Sequence, residues 1–181
     1  MVLYKGRPEH EEGRCQKETA VYDLLDELEI SYERVDHEAV RTIAACEEAD
    51  RTLGIEICKN LFLCNRQKTA YYLLLLPGSK TLQTKELSKQ IPTSRLSFAS
   101  GEDMEEYLNV TPGSATVMGL IFDPENRVQL VVDEELLEAE YFGCHPCVNT
   151  SSLKLRTADV FGKYLKAVHH NYIKVKLSEG R

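Results

Sequence analysis

The run KNLFLCNRQKTAYYLLLLPG, residues 59–78, decides the fold. It holds two apolar blocks, Leu61 to Cys64 and Ala70 to Leu76, separated by the polar stretch Asn65-Arg66-Gln67-Lys68-Thr69. A strand with one wet face alternates, whereas a strand covered on both faces reads as a continuous apolar run. The stretch therefore predicts two adjacent central strands joined by a hairpin, with Pro77-Gly78 closing the second.

Working outward, the pattern alternates between helix and strand. Upstream, Ala20, Val21, Leu24, Leu25 and Leu28 recur at helical spacing and predict a helix from Lys17 to Leu28. Tyr32 to Val35 reads as a short strand and Thr42 to Ala49 as a helix that stops before Gly54. Downstream, Thr84 to Ile91 predicts a helix ended by Pro92, and Leu96 to Phe98 a strand. Ser100 caps a helix from Gly101 to about Leu108, whose first turn carries acids at the positive end of its dipole. Ala115 to Phe122 and Arg127 to Val132 read as strands, and Asp133 to Glu140 as acidic surface. Cys147 to Leu155 has strand character, Thr157 to Val168 helical spacing, and Tyr172 to Leu177 the alternation of a closing strand. Roughly seven strands and five helices interleave, which predicts one α+β domain with surrounding helices on a mixed, twisted β-sheet. Residues 1–16 are expected as an N-terminal extension and 17–177 as the domain. No internal repeat or low-complexity stretch interrupts the pattern.

At 181 residues and 43% hydrophobic content, the chain can bury one substantial core. It has no run near the roughly 20 apolar residues of a membrane helix, and no secretory signal, so the expected setting is the cytoplasm, with no membrane partner. Six cysteines in a chain with an ordinary core are expected as reduced thiols. The net charge of -7 argues against a protein that coats nucleic acid, and no DNA partner is expected. Charge is nevertheless segregated: Lys154, Arg156, Lys163, Lys166, Lys174, Lys176 and Arg181 against Asp159 and Glu179 give residues 151–181 a net +5, leaving -12 for the rest. Such a tail suits either a local RNA-facing patch or a solvated helix and strand.

Three segments could carry chemistry. Lys59-Asn60 stands at the mouth of a buried strand, where an ammonium can contact an anion or ester oxygen, or simply point to water. Thr111-Pro112-Gly113-Ser114-Ala115-Thr116 is a glycine turn whose backbone N–H groups can converge on one oxygen, or an ordinary turn. In Gly143-Cys144-His145-Pro146-Cys147-Val148-Asn149-Thr150, a C-x-x-C pair competes with a histidine. The pair suits a zinc or redox site poorly, because a strand rather than a helix follows and Cys58 and Cys64 lack ligand spacing. His145 could instead donate to a substrate oxygen or to a terminal ribose. His37, His169 and His170 offer nothing comparable, and the common triad, phosphate-loop and H-E-x-x-H signatures are absent. No metal and no cofactor are expected.

In this order, Lys59 to Leu63, Arg95 to Ala99, Pro112 to Thr116, Leu130 to Asp133, His145-Pro146 and Asn149-Thr150 resemble the YbaK and prolyl-tRNA synthetase associated domain family. The resemblance covers Lys17 to His170 and is strongest in the free-standing, ProX-type branch of prolyl-tRNA editing proteins that deacylates alanyl-tRNA(Pro). It implies a hydrolase acting on the ester between an amino acid and the terminal adenosine of tRNA, with aminoacyl-tRNA(Pro) as substrate and prolyl-tRNA synthetase as a potential partner. By carry-over, Lys59, Asn60 and His145 are assigned as catalytic and Gly113, Ser114, Pro146, Asn149 and Thr150 as substrate-binding. On this reading amides near Gly113 bind the oxyanion, Lys59 anchors the amino-acid or terminal-phosphate end, and a ribose hydroxyl activates the water. Alanine is the expected amino acid. Cysteine, or a non-catalytic module that senses charged tRNA or an amino acid, are the alternatives. Two departures stand out. Asn109 replaces a frequent glycine but tolerates left-handed angles, and Ala115 and Met118 fall where a pocket lining would set substrate size.

Overall fold

The computed structural model describes residues 1–39 and 43–179. The predicted hairpin is present: β3 (Lys59–Asn65) pairs antiparallel with β4 (Tyr71–Leu76). Every residue of β4 is buried, and its two faces feed different cores. Tyr71, Leu73 and Leu75 join one cluster, Tyr72, Leu74 and Leu76 the other, so the continuous apolar run is the signature of a strand covered twice.

Among the described residues the strands form two sheets, where the sequence reading expected one of about seven strands. A mixed five-stranded sheet has the order β5-β3-β4-β6-β9, with β5 at Leu96–Phe98, β6 at Val128–Asp133 and β9 at Tyr172–Val175. The antiparallel four-stranded sheet has the order β1-β2-β8-β7, with β1 at Leu3–Lys5, β2 at Tyr32–Asp36, β7 at Tyr141–Cys144 and β8 at Ser151–Arg156. The α+β class holds. Residues expected as an N-terminal extension instead supply an edge strand, β1, to the second sheet.

The larger core lies between the sheets. Tyr32, Phe142, Leu153 and Leu155 of one sheet meet Phe62, Leu73, Leu75, Leu130 and Val132 of the other, and α1 (Gln16–Glu27) closes the side with Val21, Tyr22 and Leu25. Residues 43–53 form α2 (Ile43–Leu53), which packs Ala49 and Leu53 on Val35; Thr42, the expected start, lies outside the described residues. The helix α3 (Thr84–Gln90) precedes β5 as read from sequence.

Two expectations change. Ala115 to Phe122 is not a strand: Val117–Phe122 winds as a 3-10 helix capped by Thr116, whose hydroxyl accepts from Met118 N. Asp133 to Glu140 is more than acidic surface, since α5 (Glu134–Glu138) leads directly into β7. The helix α4 (Gly101–Leu108) has the expected Ser100 cap, accepting from Asp103 N, and ends on Asn109 at φ 56°. The amide side chain thus fills a left-handed C-terminal position that usually falls to glycine. After β8 the chain passes from α6 (Thr157–Asp159) through a π-helical turn, Val160–Tyr164, into α7 (Leu165–Ala167). His170, read as offering little, is buried and pairs Nε2 with Asp123 at 3.0 Å. No helix among the described residues is long and apolar enough to cross a membrane.

Candidate active site

The first strand of the hairpin runs past the end of its neighbour. β5 pairs with β3 only at Leu63, Cys64 and Asn65, and one further bond, Ala99 N to Phe62 O at 2.9 Å, ends the contact. Beyond it the edge of β3 at Asn60 opens into a hollow of about 300 Å³. Its wall comes from both sheets and the turn between them: Cys58, Asn60 and Phe62, then Ala99 and Met104, then Pro112, Gly113 and Ala115, and finally His145.

Three contacts bring these segments together. Gly143 lies so close to the chain before β3 that a Cβ there would stand 2.7 Å from Ile55 Cδ1 and 3.3 Å from Ile57 Cα. Only glycine lets β7 close down on that segment. The Cys58 thiol then reaches Gly143 O at 3.7 Å. On the other side, the Thr116 hydroxyl donates to His145 O at 2.7 Å and ties the glycine turn to the histidine loop. The turn itself needs Gly113, which sits at φ 89°.

The structure brings Asn60, Gly113 and His145 to one hollow and leaves the other candidates around it. Asn149 stands behind the turn, with Nδ2 3.7 Å from where a Gly113 Cβ would lie. Ser114 and Pro146 are buried without lining the hollow, and Thr150 is exposed, its carbonyl accepting from His37 N at 2.9 Å. Lys59 is the main departure. Side chains alternate along a strand, so Lys59 leaves β3 on the pleat opposite Asn60 and Phe62. Its ammonium donates to Lys80 O at 2.6 Å and is not part of the hollow's wall. Of the two positions thought to set pocket size, Ala115 lines the hollow while Met118 is packed into the core.

His145 is held in one tautomer. Nδ1 lies 2.9 Å from Ser151 O, and because a carbonyl can only accept, Nδ1 carries the proton. Nε2 is then an acceptor, with no partner among the described residues. This reverses the expectation of a ring that donates to substrate. Burial pushes the ring below its ordinary value, the nearby His37 adds to that, and the Ser151 bond opposes it, so the net direction is down. Ser151 is fixed in turn by donating Oγ to Asp36 Oδ1 at 2.7 Å. Burial raises the Asp36 carboxyl, but hydrogen bonds from Arg34, Arg14 and Ser151 outweigh it and hold it at about 2.

Asn60 donates Nδ2 to Cys58 O at 3.1 Å, while its Oδ1 is buried with no partner among the described residues. An unmatched buried acceptor costs about 1–3 kcal/mol, which a donor on a ligand would recover. The thiols offer no nucleophile. Burial pushes Cys58 and Cys147 up to about 12 and raises Cys144 as well, and all three are free. Among the described residues no three His, Cys, Asp or Glu side chains are placed to hold a metal.

The sequence reading missed Asp36, His37, Ser151 and Ser152. Their only signal was a polar pair opening a strand, and its meaning depends on the register that sets Asp36 opposite Ser151 and Val35 opposite Ser152.

The two-sheet fold is shared with a solved structure. It superimposes on a crystal structure of a candidate trans-editing enzyme for prolyl tRNA synthetase with a TM-score of 0.66, at 18% identity, covering 92% of this chain and 99% of that one. The sequence profile of the aminoacyl-tRNA editing domain matches residues 37–162, and the chain belongs to that family of aminoacyl-tRNA deacylases. It is 31% identical over 158 residues to the prolyl-tRNA editing protein ProX of Acetoanaerobium sticklandii, covering 87% of this chain and 96% of the relative. It is also 32% identical over 153 residues to the prolyl-tRNA synthetase associated domain-containing protein 1 of Mus musculus, covering 82% and 89%.

Proposed function

We propose that this chain removes alanine from mischarged tRNA(Pro), with the aminoacyl ester seated in the hollow between Asn60, Gly113 and His145. The observation that carries the reading is the histidine that lines the hollow: fixed by Ser151 through Nδ1, it keeps a lone pair on Nε2 with no partner among the described residues. An aminoacyl ester is already activated, so placing a water and stabilising the oxyanion are enough. His145 Nε2 accepts a proton from the attacking water as its oxygen bonds to the ester carbon. Backbone N–H groups of the Gly113 turn receive the developing oxyanion, and the ring returns the proton to the departing ribose oxygen. Asn60 Oδ1 accepts a hydrogen bond from the substrate's α-amino group. A base on the protein replaces the ribose hydroxyl as the activating group.

Lys59 acts outside the hollow. An ammonium has three donors and, among the described residues, this one has a single acceptor, Lys80 O, which leaves two for a phosphate of the tRNA end. Its place on the opposite pleat favours the phosphate over the amino acid.

Alanine follows from size. A synthetase pocket built for proline excludes a smaller side chain by only about 1–3 kcal/mol per methylene, so a second, smaller site is needed to clear it. Phe62, Met104, Pro112 and Ala115 give the hollow an apolar side against which a small side chain can rest. Comparing hydrolysis of alanyl-, cysteinyl- and prolyl-tRNA(Pro) by the purified chain tests the reading. Fastest turnover of the alanyl ester is expected. Faster turnover of the cysteinyl ester would move the assignment, and tRNA binding without hydrolysis of any of the three would overturn it.

A further inference from the structure

Behind His145 lies a second histidine that the mechanism above leaves unused. His37 Nε2 is 2.8 Å from Ser152 Oγ, and Ser152 Oγ is 3.3 Å from His145 Nδ1. The two rings lie 6.3 Å apart, centroid to centroid, and Ser152 between them is buried.

The direction of each bond follows from what its acceptor can do. His37 Nδ1 lies 2.9 Å from Glu38 O, a carbonyl, so it carries the ring proton and Nε2 accepts. The Ser152 hydroxyl hydrogen must then point at His37. Its oxygen lone pairs are left for His145 Nδ1–H, which already donates to Ser151 O. The chain of donors runs one way, from His145 through Ser152 and His37 to the Glu38 carbonyl.

We propose that His37 is a positioning residue for the hydrolytic base: it orients the Ser152 hydroxyl so that a lone pair, and not the hydrogen, faces His145. The inference rests on His145 acting as the base. When Nε2 takes the proton from water, the ring becomes a cation and its Nδ1–H a stronger donor, and hydrogen bonds to an ionised group are roughly twice as strong as neutral ones. Two aligned acceptors, Ser151 O and Ser152 Oγ, then stabilise the charge that appears only during reaction. No proton travels along the chain. The one taken from water leaves on the ribose oxygen, and Ser152 and His37 keep theirs.

The test is a double-mutant cycle on the full chain, read in single-turnover deacylation of alanyl-tRNA(Pro) and in KM. His37→Ala is expected to lower kcat about 3- to 10-fold, the worth of one oriented hydrogen bond, with KM unchanged. His37→Gln, whose amide oxygen can accept from Ser152, recovers most of that loss. Ser152→Ala lowers kcat by a similar factor, and adding His37→Ala to it changes nothing further, because the residues act in series. Multiplying losses, a rise in KM alone, or failure of His37→Gln to recover activity would overturn the proposal. If wild type hydrolyses no aminoacyl-tRNA, the functional reading fails separately. The orientation is then read by proton NMR of ¹⁵N-histidine-labelled protein: the His145 ring N–H resists exchange in wild type and His37→Gln and exchanges faster in His37→Ala. Equal exchange in all three would refute it.

Discussion

Acidification is the perturbation that reads His145 most directly. Nδ1 already carries the hydrogen donated to Ser151 O, so a second proton can only go to Nε2, the atom assigned to accept from water. The folded ring titrates below its ordinary 6.5, chiefly because burial disfavours the charged form, with His37 adding to the effect. On the proposed mechanism, catalysis needs the unprotonated ring. The rate is therefore level through neutrality and falls about tenfold per pH unit only once the pH drops through a midpoint below 6.5. Stability moves in the same direction. A histidine whose folded value is depressed favours the fold above that range, and its contribution is lost as pH falls below the unfolded value. Single-turnover deacylation between pH 4.5 and 8 is the assay, with uncatalysed ester hydrolysis subtracted and folding followed by circular dichroism. His145→Ala should lower the rate about 100- to 10,000-fold, the usual worth of a general base, and erase the acid limb. It also leaves Ser151 O without its donor, at a cost of about 1–3 kcal/mol that thermal denaturation will register. An acid limb of unchanged midpoint in His145→Ala, or a wild-type midpoint above 6.5, would refute the assignment.

Lys59→Ala removes the ammonium assigned to a tRNA phosphate and leaves the hollow's wall intact. Losing a charged hydrogen bond of about 1.5–3 kcal/mol should lower kcat/KM on full-length aminoacyl-tRNA about 10- to 150-fold, with the melting temperature nearly unchanged. An unaltered kcat/KM would remove Lys59 from the site. The Asp36 carboxylate, held at about 2 against an ordinary 3.8, contributes at most about 2 kcal/mol of stability above the unfolded value, lost as pH falls through the folded one. Urea midpoints at pH 6, 3 and 2 should record that loss in wild type. In Asp36→Asn the step disappears, and the protein is weaker by about 2 kcal/mol at pH 6, because the buried Arg34 is left without its carboxylate.

What the sequence disclosed and what it hid divide along physical lines. The β3–β4 hairpin was legible because burial on both faces removes all polar positions from a strand. The same saturation misled at Ala115 to Phe122, where Val117, Met118, Gly119 and Leu120 are all buried and no periodicity is left to separate a strand from a 3-10 turn. There a Cβ on Gly119 would stand 3.0 Å from Leu108 O, so close packing on α4 shapes the backbone in place of a ladder. Strands β1 and β7 were missed because both are sheet edges: all of β1 is exposed, and β7 follows an acidic helix that reads as surface. Asn60, Gly113 and His145 could be found as residue types in a telling order. The tautomer of His145 and the pleat of Lys59 could not, since each is set by partners distant in sequence, Ser151 through its register with β2 and Lys80 beyond the hairpin.

That dependence on register explains why the hollow sits at a seam. Asn60 belongs to the five-stranded sheet and His145 ends a strand of the four-stranded one, so neither sheet alone holds both groups. Asn60 and His145 reach one hollow only when Phe62 and Leu73 pack with Phe142 and Leu153 in the main core. Any substitution that loosens this contact should separate the groups before it unfolds the chain. Leu73→Ala, at about 2–5 kcal/mol for a buried leucine, would then depress turnover by more than the unfolded fraction explains.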